Sequence, residues 1–306
     1  MKWLFDFVVF PGFVFTAVIG CIVKWFDRKL TARIQWRVGP PFLQQFYDFI
    51  KLTAKETIIP KGAGATFVLP PIISVIAVTI VSTLIWKAIL NPEQTFVGDL
   101  IVVIYFLMVP NICAIIGGAA SRNPLASLGV SRELKLLLAD ELPFILAAFV
   151  PVIKAHTIRL GDLLQWQWNN ELFIASASGI IAFLVILACM QAKLAYQPFD
   201  IPEAETEIIA GPYTEYSGVL LGLFLLSRWM LLFALPMFVV VMFLGGIKFS
   251  GWHTLWGILK YVGLLILIIV VKNTNPRIRI DQALKFFWWG VTPLAILAVV
   301  LALFGL

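Results

Sequence analysis

Gln197-Pro-Phe-Asp-Ile-Pro-Glu-Ala-Glu-Thr-Glu-Ile-Ile-Ala-Gly-Pro-Tyr-Thr-Glu-Tyr216 holds five carboxylates, Asp200, Glu203, Glu205, Glu207 and Glu215, within sixteen residues. The other 290 residues carry only twelve. Long apolar runs flank the stretch on both sides. Acid held against a membrane is costly, so it marks a proton or ion path, or a docking surface.

Composition supplies the membrane. The chain has 306 residues, 61% hydrophobic and 13% charged, where soluble proteins average about 25% charged. This excludes a soluble core and predicts an all-α integral membrane protein, one polytopic domain over 1–306. The first run, Phe7 to Phe26, is followed by no cleavage-site pattern and reads as a retained helix. A span needs about 20 apolar residues. Eight segments qualify, at roughly 4–26, 67–90, 99–120, 136–155, 172–192, 214–244, 254–272 and 286–305. Arg228 and Pro236 predict a kink or tilt in the sixth.

Lys and Arg set the orientation. One side carries sixteen: eight over residues 24–61, three over 122–135, Lys193, and four over 272–285. The other side carries five: Lys2, Lys87, Lys154, Arg159 and Lys248. The side with sixteen is expected to be cytoplasmic and both termini external. This makes 27–66 a cytoplasmic loop and 193–216 an acidic loop on the same side. Anionic lipid and topology account for the net charge of +6, and no nucleic-acid partner is needed. Cys21, Cys113, Cys189, His156 and His253 are scattered, with no metal-ligand, haem or disulfide spacing. No cofactor is expected on this chain, and any redox chemistry belongs to a partner.

Residues 44–58 read as an interfacial amphipathic helix. Phe46, Phe49, Ile50 and Ala54 fall on one face, and Asp48, Lys51 and Lys55 on another. It serves either as a surface anchor or as a platform for a peripheral subunit. Asp140 and Glu141 are expected to open the fourth segment at the membrane boundary, sharing a proton or pairing with Arg132 or Lys135. If the acidic stretch continues as a helix, Glu203 and Glu207 share a face at i,i+4 and repel one another. The 27–37 segment offers Arg28, Lys29, Arg33 and Arg37 as compensation. Arg228, inside segment six, requires a partner such as Glu141 or Glu215. Lys260 is expected to snorkel to the outer surface.

Several motifs agree in order. Gln197-Pro-Phe-Asp-Ile-Pro-Glu-Ala-Glu-Thr-Glu followed by Thr214-Glu-Tyr-Ser-Gly218 resembles the NADH dehydrogenase subunit 1 family of respiratory complex I. Asp27-Arg-Lys, Gln35-x-Arg37-x-Gly39-Pro40 and Asp48-x-x-Lys51-Leu-x-x-Lys55-Glu56 are similar to that family's first cytoplasmic loop. Pro276-Arg277-x-Arg279-x-Asp281-Gln282 resembles its last. Only two residues separate Gly39-Pro40 from Leu43-Gln44, and Gly211-Pro212-Tyr213 replaces a Gly-Phe-Asn-like run. Both features look more like the membrane anchors of group 4 energy-converting hydrogenases and related sulfane reductases.

The resemblance implies a membrane-anchor and ion-coupling subunit of a respiratory complex in the cell membrane. Its partners would be hydrogenase-like large and small subunits, an Fe–S subunit and antiporter-like membrane subunits. Fe–S clusters, and in a hydrogenase a NiFe centre, would lie in those partners. It also implies a proton or ion path through Glu141, Glu203, Glu205, Glu207 and Glu215, to which the charge reading adds Asp140, Asp200 and Arg228. The peripheral arm would meet Arg28, Lys29, Arg33, Arg37, Asp48, Lys51, Lys55, Arg277, Arg279 and Asp281. The alternatives are a quinone-binding complex I subunit, a sulfane reductase anchor, a purely structural anchor and a stand-alone secondary transporter. Transporters carry paired halves with matching broken helices, and this chain has no convincing internal repeat.

Overall fold

A computed structural model describes the backbone of residues 2–306 and the side chains of residues 5–204 and 207–306. Lys2 and Glu205, both used above, therefore have side chains outside the described set. The described regular elements are all helical. In chain order they are α1 (Lys2–Val8), α2 (Phe13–Ile34), α3 (Gln44–Ala54), α4 (Ala65–Leu90), α5 (Asp99–Ala120), α6 (Pro124–Ala155) and α7 (Leu160–Asn169). There follow α8 (Ala177–Lys193), α9 (Glu205–Ile208), α10 (Gly218–Phe243), α11 (Trp252–Thr274), α12 (Ile280–Lys285) and α13 (Thr292–Leu303). A π-helical turn, Phe286–Val291, joins α12 to α13.

Among the described residues, seven helices are long and apolar enough to cross a membrane: Phe5–Ile34, α4, α5, α6, α10, α11 and Ile280–Leu303. The chain is a multi-pass membrane protein. Within the expected span at 172–192 lie a 3-10 turn, Phe173–Ala175, and the 17-residue apolar α8, shorter than these seven. Ser176 starts α8 late by accepting a hydrogen bond from the Gly179 amide at 3.1 Å. At 1.5 Å per residue α8 is about 25 Å long, short of a hydrocarbon core of about 30 Å.

α10 is the hub. It packs against α2, α4, α5, α8 and α11, and 89% of its apolar window is buried, against 28% for Ile280–Leu303. A helix apolar on all sides fits this central place, since none of its faces meets water. Close approach depends on small residues. A Cβ on Gly20 of α2 would lie 2.9 Å from the Trp229 carbonyl of α10. Ser74–Ser227 at 2.8 Å and Thr16–Ser82 at 2.7 Å join α4 to α10 and α2 to α4.

Four boundaries differ from expectation, each for a local reason. α6 begins at Pro124 rather than 136, because Asn123 accepts from the Leu125 amide at 2.8 Å and proline suits the first helical position. Asp140 and Glu141 are thus mid-helix and not at a boundary. α2 continues to Ile34, so Arg28, Lys29 and Arg33 are helical and the polar loop starts later than 27. α3 stops at Ala54, where Lys55 turns extended, and it packs against α2 and α10. The acidic stretch forms only the four-residue α9, because Ala204 has a non-helical ψ of 90°. Glu203 precedes that break, so it shares no helix face with Glu207.

Candidate ion path and docking face

Arginines from three elements take the acidic stretch apart, one carboxylate each. Arg277 donates to Asp200, Arg228 to Glu203 and Arg132 to Glu207, each at 2.6 Å. Asn123 donates to Glu215 at 2.5 Å. The compensating charge therefore comes from α6, α10 and the 275–279 turn, not from residues 27–37. Arg228 pairs with Glu203, not with Glu141 or Glu215, because α10 sets its guanidinium against the turn at Pro202. It also lies 5.6 Å from the Tyr213 ring. Glu207 is the outer member, 59% exposed against 21% for Glu203. Burial, and then the Glu203 carboxylate, lift the Asp200 pKa to about 6 against the pull of Arg277.

A second charged group lies inside the bundle. Lys193, the last residue of α8, donates to Glu141 and lies 3.5 Å from Asp140. Its Nζ is 4.6 Å from the centre of the Phe144 ring. The expected partners of the acidic pair, Arg132 and Lys135, do not take that role. Arg132 is committed to Glu207, about two helical turns before Asp140 on α6. Glu133 of α6 is buried and makes no ion pair among the described residues. The charges that act on it are Glu203, Arg228, Asp140 and Lys193, which places it between the acidic stretch and the inner group.

Two cavities connect these groups. The larger, about 280 Å³, is lined by Lys24, Tyr196, Asp200, Glu203, Arg228 and Lys272, among others. The smaller, about 20 Å³, is lined by Asn111, Glu133, Lys193, Glu203, Ser227 and Arg228 together with apolar residues. They share Leu194, Ala195, Glu203 and Arg228. The smaller has room for about one water molecule. Beside the larger, the buried Asp27 carboxylate accepts from Lys24 at 2.8 Å, Lys272 at 2.9 Å and the Tyr196 hydroxyl at 2.9 Å. Burial and the Asp27 charge push the Tyr196 phenol up, so it remains a donor.

The residues expected to face a peripheral arm are largely exposed. Arg28 pairs with Asp48 at 3.0 Å. Arg33, Arg37, Lys51, Lys55, Arg277, Arg279 and Asp281 are exposed, and Lys29 is half-buried. The ends of α2 and α11 meet where Asn273 donates to Thr31 at 3.2 Å and accepts from Gln35 at 3.4 Å. Trp36 projects beside these groups, 99% exposed. Lys260 donates to the Leu244 carbonyl at the end of α10 at 2.6 Å. The three cysteines are buried and unpaired. No group of three His, Cys, Asp or Glu suited to a metal occurs among the described residues.

The family model described as NADH dehydrogenase matches residues 7–303. This chain belongs to that family. It is 32% identical to the H subunit of NADH-quinone oxidoreductase from Geobacillus thermodenitrificans, over 96% of this chain and 90% of the relative. It is 33% identical to the corresponding subunit from Dehalococcoides mccartyi, over 97% and 85%. Among solved structures, a chain of the membrane-bound sulfane sulfur reductase, an archaeal respiratory membrane complex, superposes with a TM-score of 0.88. That match has 28% identity and covers 99% of this family member and 100% of the other chain.

Sequence reasoning flagged Asp140, Glu141, Asp200, Glu203 and Arg228, and all of them line the cavities or the inner group. It missed Glu133, Asp27, Tyr196 and the site role of Lys24, Lys193 and Lys272. In the sequence these lysines read only as topology charges. The available signal was charge at helical spacing: Lys24 and Asp27 are three residues apart on α2, and Glu133 and Asp140 are seven apart on α6.

Proposed function

We propose that this chain is the membrane-anchor and ion-coupling subunit of a complex I-like respiratory complex. It links electron transfer in peripheral Fe–S subunits to proton or sodium movement. One observation carries the reading: a row of ionisable side chains runs from Asp200 and Glu203 through Glu133 to Lys193, Asp140 and Glu141. Two cavities that meet at Glu203 and Arg228 connect it as far as Lys193, which holds Asp140 and Glu141. Ionisable residues at membrane depth mark ion paths. Arg28, Lys29, Arg33, Arg37, Asp48, Lys51, Lys55, Arg277, Arg279 and Asp281 form the face for the peripheral arm. Asp140, Glu141, Asp200, Glu203, Glu205, Glu215 and Arg228 belong to the path and its entrance, while Glu207, mostly exposed and paired with Arg132, stays at the surface beside it.

The mechanism is electrostatic. A charge change at a redox centre above the cytoplasmic face alters proton occupancy at the nearest carboxylates, and the change passes along coupled sites. α8 serves as the eighth crossing, with both termini external, as the excess of Lys and Arg on one side supports. The full-length match to a sulfane sulfur reductase chain supports the anchor reading with partners of that kind. The terminal acceptor is then a property of those partners.

Glu141→Gln tests the reading in a complex that assembles and transfers electrons normally. Ions moved per electron fall about tenfold. Unaltered pumping refutes the path.

A further inference from the structure

Lys193 is the one cation among the described residues with a side chain only 1% exposed. It answers two carboxylates at once, Glu141 by a hydrogen bond and Asp140 at 3.5 Å. One oxygen of each, Asp140 Oδ2 and Glu141 Oε1, accepts no hydrogen bond. The group thus holds one cation for two acids. The titratable groups that act most strongly on Lys193 are Asp140, Glu141 and Cys189 of its own helix, and Glu133 also interacts with it. Lys193 also lines the small cavity, together with Glu133 and Glu203. Arg228 already pairs with Glu203, whereas Glu133 has no cation of its own among the described residues. A lysine is a compact charge on a flexible four-carbon stem with three donors, so it can change partners by pivoting.

We propose that Lys193 is the moving cation of this path, alternating between the Asp140–Glu141 pair and Glu133 across the small cavity. This rests on the coupling function proposed above and names the group that carries charge within it. Glu133 gives its proton to water in the small cavity that it lines, and its carboxylate draws the ammonium across. The hydrogen bond from Nζ to Glu141 breaks, and one to the Glu133 carboxylate forms. The uncovered Asp140–Glu141 pair takes one proton from solvent by way of the larger cavity, which restores its charge balance. Glu133 takes a proton back from the same water, the ammonium returns to the pair, and the pair releases its proton to the next protonatable acceptor along the path. A fixed counter-ion does none of this, because its partners never change.

The test uses the whole assembled complex. Structures of the unaltered complex in oxidised and reduced states are expected to show Nζ bonded to Glu141 in one and to Glu133 in the other. The same Lys193–Glu141 pair in both states overturns the proposal. In proteoliposomes, Lys193→Gln is expected to keep electron transfer and to lower ions moved per electron about tenfold. A ratio equal to that of the unaltered complex also overturns it. Glu141→Gln measured alongside separates the two ideas. Lost pumping in Glu141→Gln with normal pumping in Lys193→Gln removes the lysine's role and leaves the path. Normal pumping in both removes the path itself. Where Lys193→Gln fails to assemble, the two redox-state structures decide.

Discussion

Asp200 sits under opposing influences. Arg277 reaches it at 2.6 Å, yet its side chain is only 17% exposed and Glu203 is close by. Burial and the second carboxylate win, and its pKa rises from 3.8 to about 6. A pKa higher in the folded chain than in the unfolded one favours folding fully below about pH 4, and that contribution is lost as pH rises through about 6. Two pKa units correspond to about 2.7 kcal/mol. Partial solvent screening reduces the expected effect to about 1 kcal/mol. Asp200→Asn should therefore flatten the rise in stability that the unaltered complex shows on going from pH 6 to pH 4. Melting curves across that range check it. An unchanged pH slope in Asp200→Asn would assign the slope to other groups. The same scale explains what sequence left hidden. A carboxylate motif such as Asp-Ile-Pro-Glu is visible in one dimension. The burial of Asp27 under Lys24, Lys272 and Tyr196 joins α2, α11 and the 194–199 turn, and no local pattern announces it.

Elements follow from their caps and breaks more than from hydropathy. The six segments that became long apolar helices near their expected places were legible because lipid demands unbroken apolar length. α6 was legible only in its second half, since Arg132, Glu133 and Lys135 lower the hydropathy of turns that Asn123 and Pro124 nevertheless start. The short α8 and the broken 197–216 stretch depend on Ser176 and on the backbone at Ala204, whose effect emerges only with packing. Gly218 shows such a dependence at a single position. Its φ of +57° opens α10, and an added Cβ would lie 2.7 Å from the carbonyls of Lys55 and Glu56. The 55–58 segment is seated there: Ser217 Oγ accepts from the Ile58 amide at 3.0 Å, and Thr57 Oγ1 accepts from the Val219 amide at 3.1 Å. Gly218→Ala should destabilise the start of α10 by about 1–3 kcal/mol. Limited proteolysis between α3 and α4, faster than in the unaltered complex, is the expected readout. Equal cleavage rates would show that the 55–58 segment is held elsewhere.

Across the whole molecule, one set of ionisable side chains enters the bundle from the acidic stretch. α10 supplies Arg228 from the centre, α6 supplies Glu133, Asp140 and Glu141, and α8 ends on Lys193. Helices around this set face lipid or partner subunits, as the low burial of Ile280–Leu303 reflects. Family membership was legible from motif order, and the structure adds Glu133, which lines the small cavity together with Glu203, Arg228 and Lys193. Glu207, mostly exposed and paired with Arg132, lies outside that set and serves as a control. The most direct measurement is ions moved per electron by the assembled complex carrying Glu133→Gln, with Glu207→Gln beside it. A path through Glu133 requires preserved electron transfer with a ratio about tenfold lower in Glu133→Gln and near normal in Glu207→Gln. An undiminished ratio in Glu133→Gln contradicts it.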